Sequence, residues 1–437
     1  MKTKAIFWFT NDLRLEDNLA LIQSVNTADE LALVYIIDPS WFELNSYQSR
    51  AMGKLRLSFL KQSLTDLDSQ LANYNQSLQI FFGKPDDILS SLIEDYAICQ
   101  LYRCELADNN LNCIWQSLKN NHPGVDFIQQ ATHTLFESEQ LPFAVKHLPS
   151  TFTQFRKAVE SLHIAPPLDK PADFTKKLDI FPDQGSSLYK LDCAEISRFR
   201  GGSTHALAHL NEYFKDARPH CYFEDRNSLD GWQNSTKFSP WLANGCLSAR
   251  QVLASLSEYE SSVIRNKSTY WIYFELLWRE YFQWYAHKYG SRLFRFSGIK
   301  KTPPLTSFYP ERFKKWCNGT TPYPLVNACM NELNSTGYVS NRGRQIVASC
   351  FINELGLDWR FGAAYFEQQL IDYDVASNWG NWQYLAGVGA DPRGKRHFNL
   401  DKQSNQFDPS GEYTLSWTKD QFLAPLDSVD AADWPLS

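Results

Sequence analysis

The period of the apolar residues changes part-way along this chain, and that change restricts the fold more than any other feature. Over the first 130 residues, short β-rich runs (5–9, 31–37, 78–82 and 97–102) alternate with helix-like segments such as 55–71. Alternation of that kind implies βαβ units around a parallel sheet. Between about 131 and 195 it gives way to a stretch punctuated by Pro142, Pro149, Pro166, Pro167, Pro171 and Pro182, which reads as a long connector with one helix near 151–162. From about 197 the period is helical and the segments lengthen: 205–213, 249–256, 269–288, 324–333 and 342–355. The expected class is therefore α/β, with a Rossmann-like parallel-sheet domain at the N-terminus and an all-α domain at the C-terminus. The expected divisions are 1–130, a connector at 131–195, the helical domain at 196–419, and a short, acidic, loosely packed tail at 420–437. The 437 residues are enough for two or three domains with large cores.

Charge and cysteine content narrow the function classes. The net charge is −6, all of it in residues 1–190, which carry 17 basic against 23 acidic side chains; residues 191–437 carry 26 of each. A protein that grips duplex DNA by charge alone is usually basic, so a nucleic-acid role has to rest on a local patch. The nine cysteines are scattered, odd in number and never in a C-x-x-C pair. That argues against a disulfide framework and against a zinc site, and for reduced, buried thiols in a cytoplasmic protein. The start, MKTKAIFWFTND, meets charge too early for a signal peptide, and no run of 18 apolar residues exists, so no membrane span is expected. Aromatic residues make up 15% of the chain and 11 of the 14 Trp fall after residue 190, so the helical part has a use for indole rings.

Four clusters in that part carry chemistry. Ser235-Thr236-Lys237-Phe238-Ser239-Pro240 sets hydroxyls and a cation at the start of an apolar run, with Ser239 as N-cap and Pro240 at the first helical position. A helix N-terminus so furnished cradles phosphate, although an ordinary capped helix accounts for the same residues. Within 270–284 a helix places Glu275, Trp278, Arg279 and Phe282 on one face. A nucleobase pocket needs such an acid and stacking ring; an aromatic core helix with an internal Glu275–Arg279 ion pair is the alternative. Asn341, Arg344 and Gln345 share a third helical face. The fourth cluster is Asp372-Tyr373-Asp374 followed by NWGNWQY: if helical, Asp374, Asn378 and Trp382 line one stripe, an unusual load for a surface helix and a site reading. Trp241, Trp271 and Trp284 are expected in the helical core.

In this order, STKFSPWLANGCLSAR, FELLWREYF, STGYVSNRGRQIVAS, LGLDWR, LIDYDVASNWGNWQY and AGVGADPRGKRHFNLDKQ, together with NDLRLEDN at 11–18, resemble the photolyase/cryptochrome family across nearly the whole chain. SNRGRQ, IDYDVASN and Tyr384 resemble its cryptochrome DASH branch. The resemblance implies an α/β domain that can hold an antenna pigment, a 5,10-methenyltetrahydrofolate with Glu105 as a contact, and a helical domain that binds FAD. Tyr222, Ser235, Thr236, Lys237, Phe238 and Ser239 would hold the FAD phosphates, and Arg279 and Asn341 would contact the cofactor. Asp372 would pair with Arg344 beside the ring system, Asp374 would lie near the ribityl chain or the adenine ribose, and Asn378 would face the flavin N5.

The same resemblance implies splitting of cyclobutane pyrimidine dimers, mainly in single-stranded DNA, by light-driven electron transfer from reduced FAD in a monomeric protein. Glu275 would bond the flipped dimer, Trp278 and Tyr384 would pack on its rings, and Gln345 would lie beneath it. Arg226, Asn341, Gln403, Arg393 and Arg396 would contact the strand. Trp382 and Trp359 match the first two members of the family's electron relay; Thr306 stands where the third is usual, which leaves Tyr309, Trp316 or Trp379 as a substitute, or a truncated relay. No metal, protein nucleophile or hydrolytic triad is required. A blue-light photoreceptor with little or no repair activity is the alternative function.

Overall fold

The computed structural model describes residues 2–180, 191–196, 198–391, 394, 396–418 and 425–427. Its N-terminal part is a sheet in the order β3-β2-β1-β4-β5, all parallel: β1 Lys4–Phe9, β2 Glu30–Ile37, β3 Leu78–Phe82, β4 Gln100–Glu105 and β5 Asp126–Ala131. Helices α1 Leu19–Thr27, α2 Lys54–Ala72, α3 Pro85–Tyr96 and α4 Asn109–Asn121 make the crossovers. Side chains alternate between the two faces of a strand. Phe7, Phe9, Leu33 and Tyr35 therefore enter the main core shared with the helical part, while Ile6, Trp8 and Val34 form a smaller core with α3 and α4.

The fourth strand begins later than the apolar run suggests. Ala97 takes a left-handed φ of 54° to end α3, so the strand starts at Gln100 and runs to Glu105. The connector does more than wrap the surface. It contributes helix α5, Phe152–Val159, and a two-residue strand, β6 Lys176–Lys177, that pairs with Glu30 and Leu31 of β2.

The remainder is helical: α6 Ser203–Lys215, α7 Tyr222–Asp225, α8 Ser239–Ala243, α9 Ala249–Ser262, α10 Lys267–Tyr289, α11 Pro310–Cys317, α12 Pro324–Thr336, α13 Asn341–Asn353, α14 Trp359–Gln369, α15 Val375–Leu385, α16 Leu400–Phe407 and α17 Glu412–Thr418. The longest, α10, has 23 residues, starts on an Asn266–Thr269 capping box and stops at Gly290, whose φ is 47°. At about 1.5 Å per residue it runs roughly 34 Å, long enough to face both the connector and the central helices.

NDLRLEDN fastens the two halves together. The sheet order reverses between β1 and β4, and the segment leaving β1 at that switch point carries the fully buried Arg14. Its guanidinium donates to the carbonyls of Gly245 at 2.9 Å, Asp17 at 2.7 Å and Thr132 at 2.5 Å, and Asp17 pairs with Arg250 at 2.7 Å. Burial of a charge is tolerable only with partners of that kind.

Two expectations are corrected here. All nine thiols are free, but they are not uniformly buried: Cys113 and Cys221 are exposed, and Cys99 and Cys193 half-buried. Within the tail, described at 425–427, Asp427 pairs with Arg312 at 2.6 Å and Lys315 donates to the carbonyls of Pro425 and Leu426, so those three residues are bonded down rather than loose. No helix among the described residues is long and apolar enough to cross a membrane.

Candidate functional site

A cavity of about 660 Å³ opens between α8, α10, α13 and α15. Its inner wall is α15. Asp374 caps that helix by accepting from the Ser377 N–H at 2.7 Å, and both of its carboxylate oxygens accept from Gln283 Nε2, at 3.0 and 2.9 Å. Asn378 and Trp382 follow at helical spacing, so the stripe expected from the sequence lines the cavity with its first member at the cap. Asn378 Nδ2 donates to the Ala363 carbonyl at 3.0 Å, which leaves Oδ1 as the spare acceptor. Trp382 is buried edge-on against Phe366 at 5.2 Å, Phe351 at 5.5 Å and Trp316 at 6.2 Å.

Beside α15, Arg344 Nη2 donates to Asp372 Oδ2 at 2.7 Å, and Arg344 Nε to the Val339 carbonyl at 2.9 Å. Asp372 is buried in the cavity wall, and its Oδ1 has no partner among the described residues. An orphaned buried acceptor costs about 1–3 kcal/mol, which a donor entering the cavity would offset.

The mouth gathers Glu275, Trp278, Asn341, Gln345, Tyr384 and Arg396. Glu275 accepts from Trp271 Nε1 at 3.1 Å and lies 3.6 Å from Arg226 Nε; it does not pair with Arg279. Burial pushes its carboxyl above the usual range, opposed by the Arg226 charge. Arg279 lines the cavity but donates to the His133 carbonyl of the connector. Arg226 lies over the Phe223 and Trp271 rings at 4.5 and 4.7 Å. Trp278 and Tyr384 meet edge to face at 6.0 Å, and Arg396 binds both Asp391 and the Tyr384 hydroxyl.

The 235–239 cluster divides. Tyr222, Thr236, Phe238 and Ser239 line the cavity. Ser235 and Lys237 do not: Lys237 has a left-handed φ of 56°, which turns its ammonium to within 5.1 Å of the Tyr338 ring in a separate pocket with Glu332. Ser239 is not the cap of α8 either; Phe238 holds that position and makes no side-chain capping bond to this five-residue helix. Trp359 is wholly buried off the cavity, donating to the Phe296 carbonyl at 3.0 Å, and its ring meets Trp379 at 5.9 Å. Of the three relay alternatives, Trp316 and Trp379 are buried and Tyr309 is exposed. Gln403 lies on α16 outside the cavity, and Arg393 is outside the described residues.

Residues 5–172 match the model of the family "DNA photolyase", and residues 271–429 match "FAD binding domain of DNA photolyase". The chain is 49% identical to the cryptochrome DASH of Idiomarina loihiensis over 99% of its own length and 96% of that protein. It is likewise 49% identical to that of Vibrio parahaemolyticus, over 100% of this chain and 98% of the relative. This chain belongs to the photolyase/cryptochrome family, in its cryptochrome DASH branch. The solved cryptochrome of Synechocystis sp. PCC6803 superposes with a TM-score of 0.89 at 37% identity, covering 95% of this chain and 88% of that one. An archaeal photolyase from Sulfolobus tokodaii, solved with two FAD molecules, gives 0.80 at 27% identity, covering 96% and 90%.

The cavity suits the FAD of this family. Its volume is in the range that encloses a cofactor, and its wall offers a buried acceptor, Asp372 Oδ1, without a partner among the described residues. The antenna is a different case. Glu105 is half-buried at the end of β4, and the nearby cleft lined by Asn11, Asp108 and His133 holds only about 20 Å³, room for a water and not for a pterin.

One residue that lines the cavity and one that stands behind its lining escaped the sequence reading. Arg342 lines the cavity, bonds Asn227 Oδ1 at 3.0 Å and lies 4.6 Å over Phe407; helical spacing picked out 341, 344 and 345 and set 342 about 100° round the helix from 341, yet its long side chain reaches the cavity. Trp271 is half-buried rather than core, and it holds Glu275 in place; its i, i+4 spacing to Glu275 was the available signal.

Proposed function

We propose that this protein is a photolyase-type lyase that splits cyclobutane pyrimidine dimers, mainly in single-stranded DNA, as a monomer. The observation that supports this most is the continuity of one cavity, with Asp372, Asn378 and Trp382 on its inner wall and Glu275, Trp278 and Tyr384 at its mouth. When bound, reduced FAD supplies an electron on blue-light excitation, and the dimer that receives it opens and gives it back. Everything else is placement by this chain. Tyr222, Thr236 and Ser239 are positioned for the cofactor's phosphates; Asp372, held by Arg344, takes a ring N–H, and Asn378 offers Oδ1.

At the mouth, Glu275 hydrogen-bonds the polar edge of a flipped pyrimidine and Trp278 and Tyr384 cover its apolar faces, while Gln345 lies below. Arg226, Arg342 and Arg396, each tethered by a partner of its own, form the local cationic rim that a chain with no overall positive charge needs. Flipping a base out of single-stranded DNA costs least, which agrees with a mouth walled by a Tyr rather than a second indole at 384. A folate antenna finds no room in the described cleft beyond β4, so this reading leaves it aside, and no step at the dimer depends on it. The test is to illuminate the reduced protein with a dimer-containing oligothymidine and follow the return of thymine absorbance against a dark control. Absence of light-dependent recovery refutes the reading.

A further inference from the structure

The connector carries a device that the site itself does not reveal. Helix α5 is capped by Thr151 and buries Phe152, Phe155 and Val159, an i, i+3, i+7 stripe, against the substrate-facing helix α10. The Phe152 ring stacks on the Trp278 indole with centroids 3.8 Å apart and planes within 13°. It also meets Phe274 at 5.1 Å and Tyr281 at 6.1 Å, both edge to face. Polar bonds at both ends of α5 fix it along α10: the Tyr281 hydroxyl donates to the Pro149 carbonyl at 3.3 Å, the Tyr273 hydroxyl to the Glu160 carbonyl at 3.2 Å, and Arg156 donates to the Tyr270 hydroxyl at 2.6 Å.

Trp278 is thus covered on one face by a residue from another part of the chain, while it lines the cavity that would receive a base. An indole turns about two side-chain torsions; Phe282 also lies near-parallel to it at 5.7 Å, but the buried Phe152 ring is packed more closely and limits that motion before a ligand arrives. We propose that Phe152 is a positioning residue for recognition of the pyrimidine dimer, its ring holding the Trp278 indole as a fixed wall of the mouth. The proposal rests on the dimer-splitting reading above. It gives the connector a function: α5 acts as the buttress of the substrate wall.

A double-mutant cycle of Phe152→Leu and Trp278→Leu tests it, read as dark binding of a dimer-containing oligothymidine and of its undamaged counterpart to the FAD-loaded protein. Phe152→Leu should weaken dimer binding about three- to tenfold, the usual worth of an aromatic pair, and leave undamaged DNA unaffected. The double variant should bind the dimer no more weakly than Trp278→Leu alone, because the wall is already gone. Equal weakening toward both oligonucleotides, or additive losses in the double variant, overturns the proposal.

A second readout needs no DNA. In protein carrying 5-fluorotryptophan, the fluorine resonance of Trp278, assigned by its loss in Trp278→Leu, should be single and narrow in the parent and split or broadened in Phe152→Leu. A resonance indifferent to the substitution also overturns it. Should the parent show no preference for the dimer, the dimer-splitting reading falls, and the fluorine spectrum still decides whether Phe152 fixes the indole.

Discussion

Glu275 is held from two sides, by the Trp271 indole N–H at 3.1 Å and by Arg226 at 3.6 Å, while burial pushes its carboxyl up. Glu275→Gln keeps the size and an acceptor for Trp271 but removes the charge. It should weaken dark binding of a dimer oligonucleotide about tenfold, the scale of one hydrogen bond to a charged group, with FAD content unchanged. Unaltered affinity in that titration would take Glu275 out of the site. Trp382 carries a different expectation, because its ring is packed among Phe351, Phe366 and Trp316 and reaches the cavity from the inner wall. Trp382→Phe should slow photoreduction of oxidised flavin while leaving repair by chemically prereduced protein nearly intact. Equal loss of both rates, measured by flavin bleaching and by thymine recovery, would assign Trp382 to the dimer chemistry and not to a relay.

Between elements, close approach is set by two glycines. A Cβ on Gly362 of α14 would sit 2.3 Å from the Trp382 ring, and one on Gly380 of α15 would sit 2.4 Å from Phe282 of α10. Gly362→Ala should therefore drive the indole toward the cavity, cost about 1–3 kcal/mol as overpacking does, and lower the flavin-to-protein absorbance ratio. The same elements show what a sequence can and cannot disclose. The stripe Asp374, Asn378, Trp382 was legible because a helix period fixes which residues share a face, and a terminal Asp fits a cap equally well. Lys237 was not, since a left-handed φ at a non-glycine residue leaves no trace in periodicity and reverses where the side chain points. Edge strand β5 was missed because its half-exposed residues, DFIQQA, do not form an apolar run, whereas the wholly buried β2 does. NDLRLEDN was recognisable as a family motif, but nothing in its spacing shows that Arg14 bonds its own segment at Asp17, the connector at Thr132 and the helical part at Gly245.

Across the whole molecule, buried acids tie distant segments and make stability depend on pH. Glu280 of α10 accepts the backbone N–H groups of Leu135 and Phe136, and Glu332 of α12 accepts the Tyr413 hydroxyl of α17 at 2.7 Å with Arg198 at 3.6 Å. Burial pushes each carboxyl up to about 7. A carboxyl raised in the fold binds its proton there while the unfolded chain has already released it. Its contribution is therefore complete below the unfolded value of 4.5 and is lost as pH rises through about 7. At about 1.4 kcal/mol per unit, one such group is worth up to roughly 3 kcal/mol. Two histidines oppose this: burial lowers His287 to about 4 and His133 well below its usual value, so their neutral forms lose stability as pH falls through 6.5. The absolute profile mixes the two, and a difference measurement separates them. Glu332→Gln keeps the acceptor for Tyr413 and cannot ionise, so its thermal midpoint relative to the parent should rise between pH 5 and about pH 7 and level off towards pH 8. A constant difference across that range would mean that Glu332 is ionised in the fold throughout, its charge balanced by Arg198 and the Tyr413 hydroxyl.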